Sequence, residues 1–135
     1  MTERASGRKA LILFGHGARD PEWARPLARI RDTVATQCPD AQVACAYLEY
    51  LSPTLAECAA ELVAKGAEEL VVLPVFIAQG GHLKRELPEL VEHLRRQYPA
   101  CRISLTEAIG EADRVIAAMA GHASALLAVT GDRAR

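Results

Sequence analysis

The sequence has few aromatic residues, almost no net charge and no long apolar run. Phe, Trp and Tyr make up only 4% of its 135 residues, so aliphatic side chains and alanine must fill the core. This composition is typical of a parallel sheet covered by helices. The formal net charge is -1 and neither end is strongly basic, so nothing in the sequence calls for a nucleic-acid partner, whose signature would be a basic patch. No run approaches the roughly 18 apolar residues of a membrane span. We therefore expect neither a nucleic-acid partner nor a membrane.

The sequence also lacks a recognisable leader and paired cysteines. No apolar segment or cleavage site follows the short polar start, so we expect a cytoplasmic protein without a signal peptide. The four cysteines stand singly, without a Cys-x-x-Cys pair. This spacing indicates reduced thiols rather than disulfides or a structural zinc site. Cys45 falls on the apolar side of an alternating pattern and is expected in the core.

Four strand-then-helix units follow one another without a linker, which predicts a single domain over residues 1–135 with an ordered core at about 8–130. The apolar runs predict strands at Lys9–Phe14, Gln42–Leu48, Glu69–Ile77 and Arg102–Thr106. Helices are expected from Asp20-Pro21, from Ser52-Pro53 to Gly66, after His82 with a restart at Pro88, and over about Glu111–Val129.

This alternation predicts an α/β fold, in which a parallel sheet carries helices on both faces through right-handed crossovers. We favour the flavodoxin-like order 2-1-3-4 for its four strands. Strands one and three are neighbours in that order, and the order reverses between them. Ligands of open α/β sheets bind beyond the carboxyl ends of the strands at such a reversal.

Two histidines follow the two strands that flank this reversal. His16 lies between glycines directly after the first strand, and His82 follows Gly80-Gly81 after the third strand. Imidazole is a frequent ligand of divalent transition metals and a base near neutral pH. Two ligands leave coordination positions open, which suits a metal in transit, whereas structural zinc sites have four closed ligands. We predict that the two imidazoles lie close together in one functional site.

The other ionisable residues near this site have ordinary explanations. His93 and His122 lie on helical faces and are expected to be solvated or to serve packing. Glu86 is four residues after His82 and shares a helical face with it. The carboxylate could orient His82 or accept a proton, or it could simply pair with Lys84 or Arg85.

Three segments in this order resemble the sirohydrochlorin chelatases of the short CbiX type. Leu13–Pro21 resembles their Gly-His-Gly-Ser-Arg opening, and Ala46–Glu49 followed by Ser52-Pro53 resembles their Phe-Leu-Glu segment. Leu73–His82 resembles the Pro-Leu-Phe-Leu stretch that leads to Gly-x-His, and Leu83–Pro88 the stretch ending Asp-Ile-Pro. Two positions depart from the pattern: Ala18 stands in place of Ser, and Glu86-Leu87 in place of Asp-Ile.

The resemblance implies a chelatase of the lyase class that inserts a divalent metal into sirohydrochlorin, with the metal as a substrate and no permanently bound cofactor. His16 would be metal ligand and proton acceptor, His82 the second ligand, and Glu86 a further catalytic group. The residues implied to contact the tetrapyrrole are Arg19, Tyr50, Ile77, Ala78, Gln79, Gly80, Gly81 and Lys84. The short forms act as homodimers, and we expect helices around Pro53 or Pro88 near the interface.

Other functions fit the sequence less well. A histidine phosphatase needs an arginine directly before the histidine, but Gly15 occupies that position. A receiver module needs an acidic cluster after the first strand, and none is present. A metal carrier or regulatory module of the same fold, without chelatase turnover, stays open. The metal also stays open, with cobalt first and nickel or iron as alternatives, as does the pathway, which could lead to cobalamin or siroheme.

Overall fold

The computed structural model describes residues 8–133, with side chains up to Ala128, so the first seven and the last two residues of the predicted domain lie outside the described residues. Four strands alternate with four helices. The strands are β1 (Lys9–Gly15), β2 (Gln42–Tyr47), β3 (Glu69–Pro74) and β4 (Arg102–Leu105), and the helices are α1 (Arg25–Gln37), α2 (Leu55–Ala64), α3 (Gly81–Gln97) and α4 (Asp113–Arg133). Short 3₁₀ turns at Pro21–Ala24 and Ile109–Glu111 precede α1 and α4.

The four strands form one parallel sheet in the order β2-β1-β3-β4, as the sequence predicts. In register, Phe14 of β1 lies beside Ala46 of β2 on one side and Pro74 of β3 on the other. The carboxyl ends of the three strands therefore meet at one edge of the sheet. The order reverses between β1 and β3, so the loops after these two strands flank the position where such sheets bind ligands.

Alternate side chains of the strands build two cores. On one face Ile12, Phe14, Leu70 and Val72 pack under α2 and α3. The other face has a smaller core, in which Leu13, Cys45 and Tyr47 pack with Leu27 of α1. Cys45 is buried, as expected, and all four cysteines are free thiols. None of the helices in residues 8–133 is long and apolar enough to cross a membrane.

Side-chain caps set the starts of the first two helical segments. Asp20 accepts a hydrogen bond from the Glu22 amide at 3.0 Å, with Pro21 in the first helical position. The first turn is 3₁₀, and the α-helix begins only at Arg25. Thr54 and Glu57 form a reciprocal capping box that starts α2 at Leu55, two residues after the predicted Pro53.

Two predictions for the third strand-helix unit are wrong. Strand β3 ends at Pro74 rather than Ile77, because its pairing with β4 stops at Val72 and its pairing with β1 stops at Pro74. Pro88 does not restart a helix but lies inside the continuous α3. Proline removes one backbone donor there, which leaves the carbonyl four residues earlier, at Lys84, without its helical partner. Because Lys84 is on the exposed side of α3, water can satisfy that carbonyl.

Helix α4 departs from the expectation that the helices cover the sheet. It contacts chiefly the turn Ile109–Glu111, and residues 116–128 are all exposed. The other long helices, α1 to α3, each bury an apolar face.

Candidate active site

His16 is held at the strand-order reversal by a buried aromatic pair. Its imidazole lies 4.6 Å, centroid to centroid, from the ring of Phe76 at a tilt of 45°. Phe76 in turn packs edge-to-face on Phe14 at 6.2 Å. One face of the imidazole therefore rests on the core, while the residue as a whole is exposed to solvent. Phe76 was not predicted as a site residue, because in the sequence it lies within an apolar run typical of a buried strand.

The loop after β2 is fixed against the histidine loop. The Glu49 amide donates to the His16 carbonyl at 3.1 Å, and the Leu48 amide to the Gly15 carbonyl at 2.9 Å. Gly17 has φ of 89°, and a Cβ there would lie only 1.8 Å from the Glu49 carbonyl oxygen. Glycine at this position is thus required for the two loops to touch. The contact also brings the backbone of Glu49, a residue not predicted for the site, against the histidine loop.

His82 is the second residue of α3, where its ring meets one carboxylate. Its Nε2 lies 3.2 Å from Oε2 of Glu86, one helical turn later. Among the described residues, the ion-pair partner of Glu86 is His82. The alternative pairing of Glu86 with Lys84 or Arg85 is not formed. A carboxylate on one imidazole nitrogen orients the ring and makes the other nitrogen a better metal ligand.

The two histidines follow the ends of adjacent strands, β1 and β3. In the part of the chain that the structure describes, no three His, Cys, Asp or Glu side chains are placed to hold a metal together. The arrangement therefore offers exposed single donors on separate loops rather than a closed metal centre. That the imidazoles of His16 and His82 approach one another stays a prediction.

Arg19 and Tyr50, both expected at the substrate, are in contact. The Arg19 guanidinium carbon lies 5.2 Å above the centroid of the Tyr50 ring, a cation–π geometry. Tyr50 has φ of 70°, in the left-handed region that costs a non-glycine residue free energy. Strained backbone of this kind is concentrated at functional sites, where the surrounding structure holds it in place.

Large apolar side chains are exposed on the loops that follow the carboxyl ends of β1, β2 and β3. Ile77 is 74% exposed, Trp23 70% and Tyr50 59%. Because the strands are parallel, these loops lie at one edge of the sheet, the edge that carries the histidines. Ala78, Gly80 and Gly81 are exposed beside Ile77, and Gln79 is half-buried. Trp23 was not predicted for the site. The only sign of it in the sequence is that a lone tryptophan stands in a polar stretch.

Neighbouring titratable groups in the core stay neutral near pH 7. Burial raises the pKa of the Cys45 thiol, and the nearby Arg31 lowers it by less. Burial likewise raises the pKa of the Tyr47 hydroxyl. Neither group supplies a base near neutral pH, so proton transfer at this edge falls to the histidines and the exposed carboxylates.

Several known proteins are similar in sequence to this chain. The family model described as CbiX matches residues 10–125. The chain belongs to the CbiX family. The sirohydrochlorin cobaltochelatase of Methanococcus aeolicus is 29% identical over 83 residues, which cover 62% of this chain and 58% of that protein. The corresponding protein of Saccharolobus solfataricus is 33% identical over 81 residues, covering 60% and 62%. The chain thus spans less than two thirds of these curated relatives.

Solved structures share the fold of this CbiX-family chain. A putative cobalamin biosynthesis CbiX protein from Marinobacter aquaeolei superposes with a TM-score of 0.76 at 28% identity, covering 88% of this chain and 97% of that one. SirB from Bacillus subtilis with Fe³⁺ superposes with a TM-score of 0.69 at 25% identity, covering 82% of this chain but only 44% of the SirB chain. This domain therefore corresponds to less than half of that longer relative.

Proposed function

We propose that this protein is a chelatase that inserts a divalent metal, with cobalt as the first choice, into sirohydrochlorin. The observation that carries the proposal is the placement of His16. In a chain of the CbiX family, an exposed imidazole rests on Phe76 at the reversal of strand order. Related proteins carry the name sirohydrochlorin cobaltochelatase. Nickel and iron are the alternative metals, and cobalamin or siroheme synthesis is the proposed destination of the product.

Insertion requires the metal to lose water and two pyrrole nitrogens to lose protons. The exposed His16 and His82 would capture the incoming ion, which is a substrate, through their free ring nitrogens. Glu86 holds His82 by one nitrogen, so the other nitrogen is left to the metal. His16, which stacks on Phe76, would then accept a pyrrole proton as a general base.

The flat macrocycle needs an apolar surface with cations at its rim. We assign the apolar surface to Ile77, Tyr50 and Trp23, supported by the backbone from Ala78 to Gly81. Arg19, already stacked on Tyr50, would bind a peripheral carboxylate, and Lys84 on the first turn of α3 another. A guanidinium fixed on an aromatic ring loses less side-chain entropy on binding than a free one.

The protein is proposed to act in the cytoplasm as a homodimer. One domain of this size presents an open edge and not an enclosing cleft, while the SirB chain is long enough for two such domains. Two copies related by a two-fold axis would place one edge on each side of the macrocycle.

Two histidine variants test the assignment of roles. His16→Ala should lower the rate of cobalt insertion into sirohydrochlorin at saturating metal by about 10²–10⁴-fold, because it removes the base as well as a ligand. His82→Ala should chiefly raise the cobalt concentration needed for half-maximal rate. The rate is read from the change in macrocycle absorbance.

His93→Ala is the matched control, because His93 is an exposed histidine farther along the same helix, α3. It should insert cobalt at the unchanged rate. A near-normal rate from His16→Ala at saturating cobalt would contradict the role of His16. Cobalt binding without any turnover, in the unchanged chain, would make the protein a metal carrier instead of a chelatase.

A further inference from the structure

The connection between β4 and α4 touches the loop that supports His16. Its 3₁₀ turn, Ile109–Glu111, meets the loop between β3 and α3. The Gly110 amide donates a hydrogen bond to the Phe76 carbonyl at 2.9 Å. Phe76 carries the ring on which the imidazole of His16 stacks, and the next residue, Ile77, is 74% exposed on the surface assigned to the macrocycle. One glycine therefore contacts both the support of the histidine and part of the substrate surface.

Gly110 has to be glycine because of this contact and not because of its backbone conformation. It is buried, and its φ lies outside the left-handed region that Gly17 and Gly66 occupy. A Cβ on Gly110 would lie 2.3 Å from the carbonyl oxygen of Ile77, 2.4 Å from its Cα and 2.7 Å from its carbonyl carbon. All three are backbone atoms, so no side-chain rotation relieves the overlap. The missing side chain is what lets the two segments pack together.

The turn is fixed to the core of the protein. Ala108, directly before it, is 2% exposed and belongs to the larger of the two cores. The Thr106 amide donates to the Val72 carbonyl at 3.0 Å, which ties the connection to β3. The Glu111 amide donates to the Ala108 carbonyl at 2.9 Å and closes the turn. The turn is therefore a firm base for whatever packs against it.

The loop at 75–79 has fewer supports. Among the described residues, two backbone hydrogen bonds tie it to the rest of the fold. The Val75 amide donates to the Phe14 carbonyl at 2.8 Å, and the Phe76 carbonyl accepts the bond from Gly110. The contact with the turn is therefore the last backbone tie before the loop reaches the exposed stretch that leads to α3.

We propose that Gly110 is a positioning residue of the site, because its contact fixes the loop that holds the Phe76 ring against His16. The same contact sets how Ile77 faces the macrocycle. This role rests on the proposed function, in which His16 accepts a pyrrole proton. A methyl group on Gly110 would have to gain about 0.7 Å to reach even 3.0 Å from the loop. Since the turn is anchored in the core, the loop yields, and the Phe76 ring moves away from the imidazole.

The rate of metal insertion gives the first test. In Gly110→Ala the rate at saturating cobalt and sirohydrochlorin should fall by about 10- to 100-fold, because a misplacement near 1 Å costs about that much. The cobalt concentration for half-maximal rate should change little, since both imidazoles stay exposed to the ion. Gly66→Ala is the control: it strains the backbone, but nothing lies within 4 Å of its Cβ, and its rate should be unchanged. Equal losses of rate in the two variants would overturn the proposal.

The NMR signal of the His16 ring gives a second test that needs no turnover. The signal is assigned in protein with labelled histidine rings by its loss in His16→Ala, and Phe76→Leu shows where it lies without the ring current of Phe76. Gly110→Ala should move the signal toward its position in Phe76→Leu. The signal of His93, which is exposed on α3, should stay in place. An unchanged His16 signal in Gly110→Ala would overturn the proposal whatever the rate of insertion.

A milder variant covers the case in which Gly110→Ala does not fold. Ala108→Gly loosens the same turn without adding an atom. It should move the His16 signal in the same direction by a smaller amount, and an unmoved signal would overturn the positioning role. A chain that inserts no metal would refute the proposed function, whereas movement of the His16 signal in that chain would still show that Gly110 and its turn position the imidazole.

Discussion

Gly17 is the residue whose replacement tests the architecture of the site most directly. Its φ of 89° costs a non-glycine residue about 1–2 kcal/mol. In addition, the Cβ of Gly17→Ala would lie 1.8 Å from the Glu49 carbonyl oxygen, so one backbone must move by about 1.2 Å to reach even the 3.0 Å of the tightest observed contacts. That movement breaks the bond from the Glu49 amide to His16, worth about 0.5–1.5 kcal/mol.

A second glycine isolates the clash from the backbone conformation. Gly66 has φ of 103°, but nothing lies within 4 Å of a Cβ placed there. Gly66→Ala should therefore lose about 1–2 kcal/mol of unfolding free energy. Gly17→Ala should lose about 0.5–1.5 kcal/mol more, because it also breaks the bond from the Glu49 amide, and the displaced loops add to that loss. For a domain of this size each kcal/mol lowers Tm by about 3–5 °C.

The assay combines urea denaturation with metal insertion at a temperature at which both variants are folded. Gly66→Ala should insert cobalt normally, because Gly66 closes α2 at the far edge of the sheet. Gly17→Ala should be strongly impaired, since its clash displaces the loops of His16 and Glu49. Equal losses of unfolding free energy in the two variants, or full activity in Gly17→Ala, would refute the packing described for these loops.

Two further predictions follow from single side chains. Trp23 is the only tryptophan and is 70% exposed, so sirohydrochlorin should reduce its quenching by acrylamide; unchanged quenching at saturating ligand would remove Trp23 from the substrate surface. Burial raises the pKa of the Cys58 thiol from 9.0 to about 12, so above pH 9 the folded state binds more protons than the unfolded state. That contribution to stability is complete below pH 9 and is lost as the pH rises toward 12, by up to about 1.4 kcal/mol per pH unit. In urea denaturation at pH 7 to 11, Cys58→Ala should show a shallower alkaline decline, and parallel profiles would contradict this.

The sheet could be predicted because its determinants are local. Each strand is a short apolar run that follows a turn signal, and the alternation with helices leaves few right-handed topologies. The boundary errors have local causes too. The run from Leu73 to Ile77 is apolar on both sides of Pro74, so hydropathy alone could not show that pairing with β4 stops before that proline. Pro88 is accepted inside α3 because the carbonyl it deprives of a partner faces water, which depends on the packing of the helix.

The site was only partly predictable, since sequence spacing identifies donors but not what supports them. The glycines around His16 and the four-residue spacing of His82 and Glu86 were enough to predict the proposed metal donors. They also predicted the contact by which Glu86 orients His82. The stacking of His16 on Phe76 and the contact between Gly17 and Glu49 join loops from different strands. Such contacts depend on the register of the sheet, which no local pattern encodes.

The exposure of the proposed metal donors fits delivery better than storage. The side chain of His82 is 80% exposed and its carboxylate partner Glu86 is 49% exposed. Donors in water make weak, rapidly exchanging complexes unless further ligands complete the coordination shell, as the four ligands of structural zinc sites do. A protein that kept its metal would need such a closed set, and a chelatase must instead give the ion up to four nitrogens of the macrocycle. The weak, open site is then completed by the substrate, which itself supplies the ligands that the protein lacks.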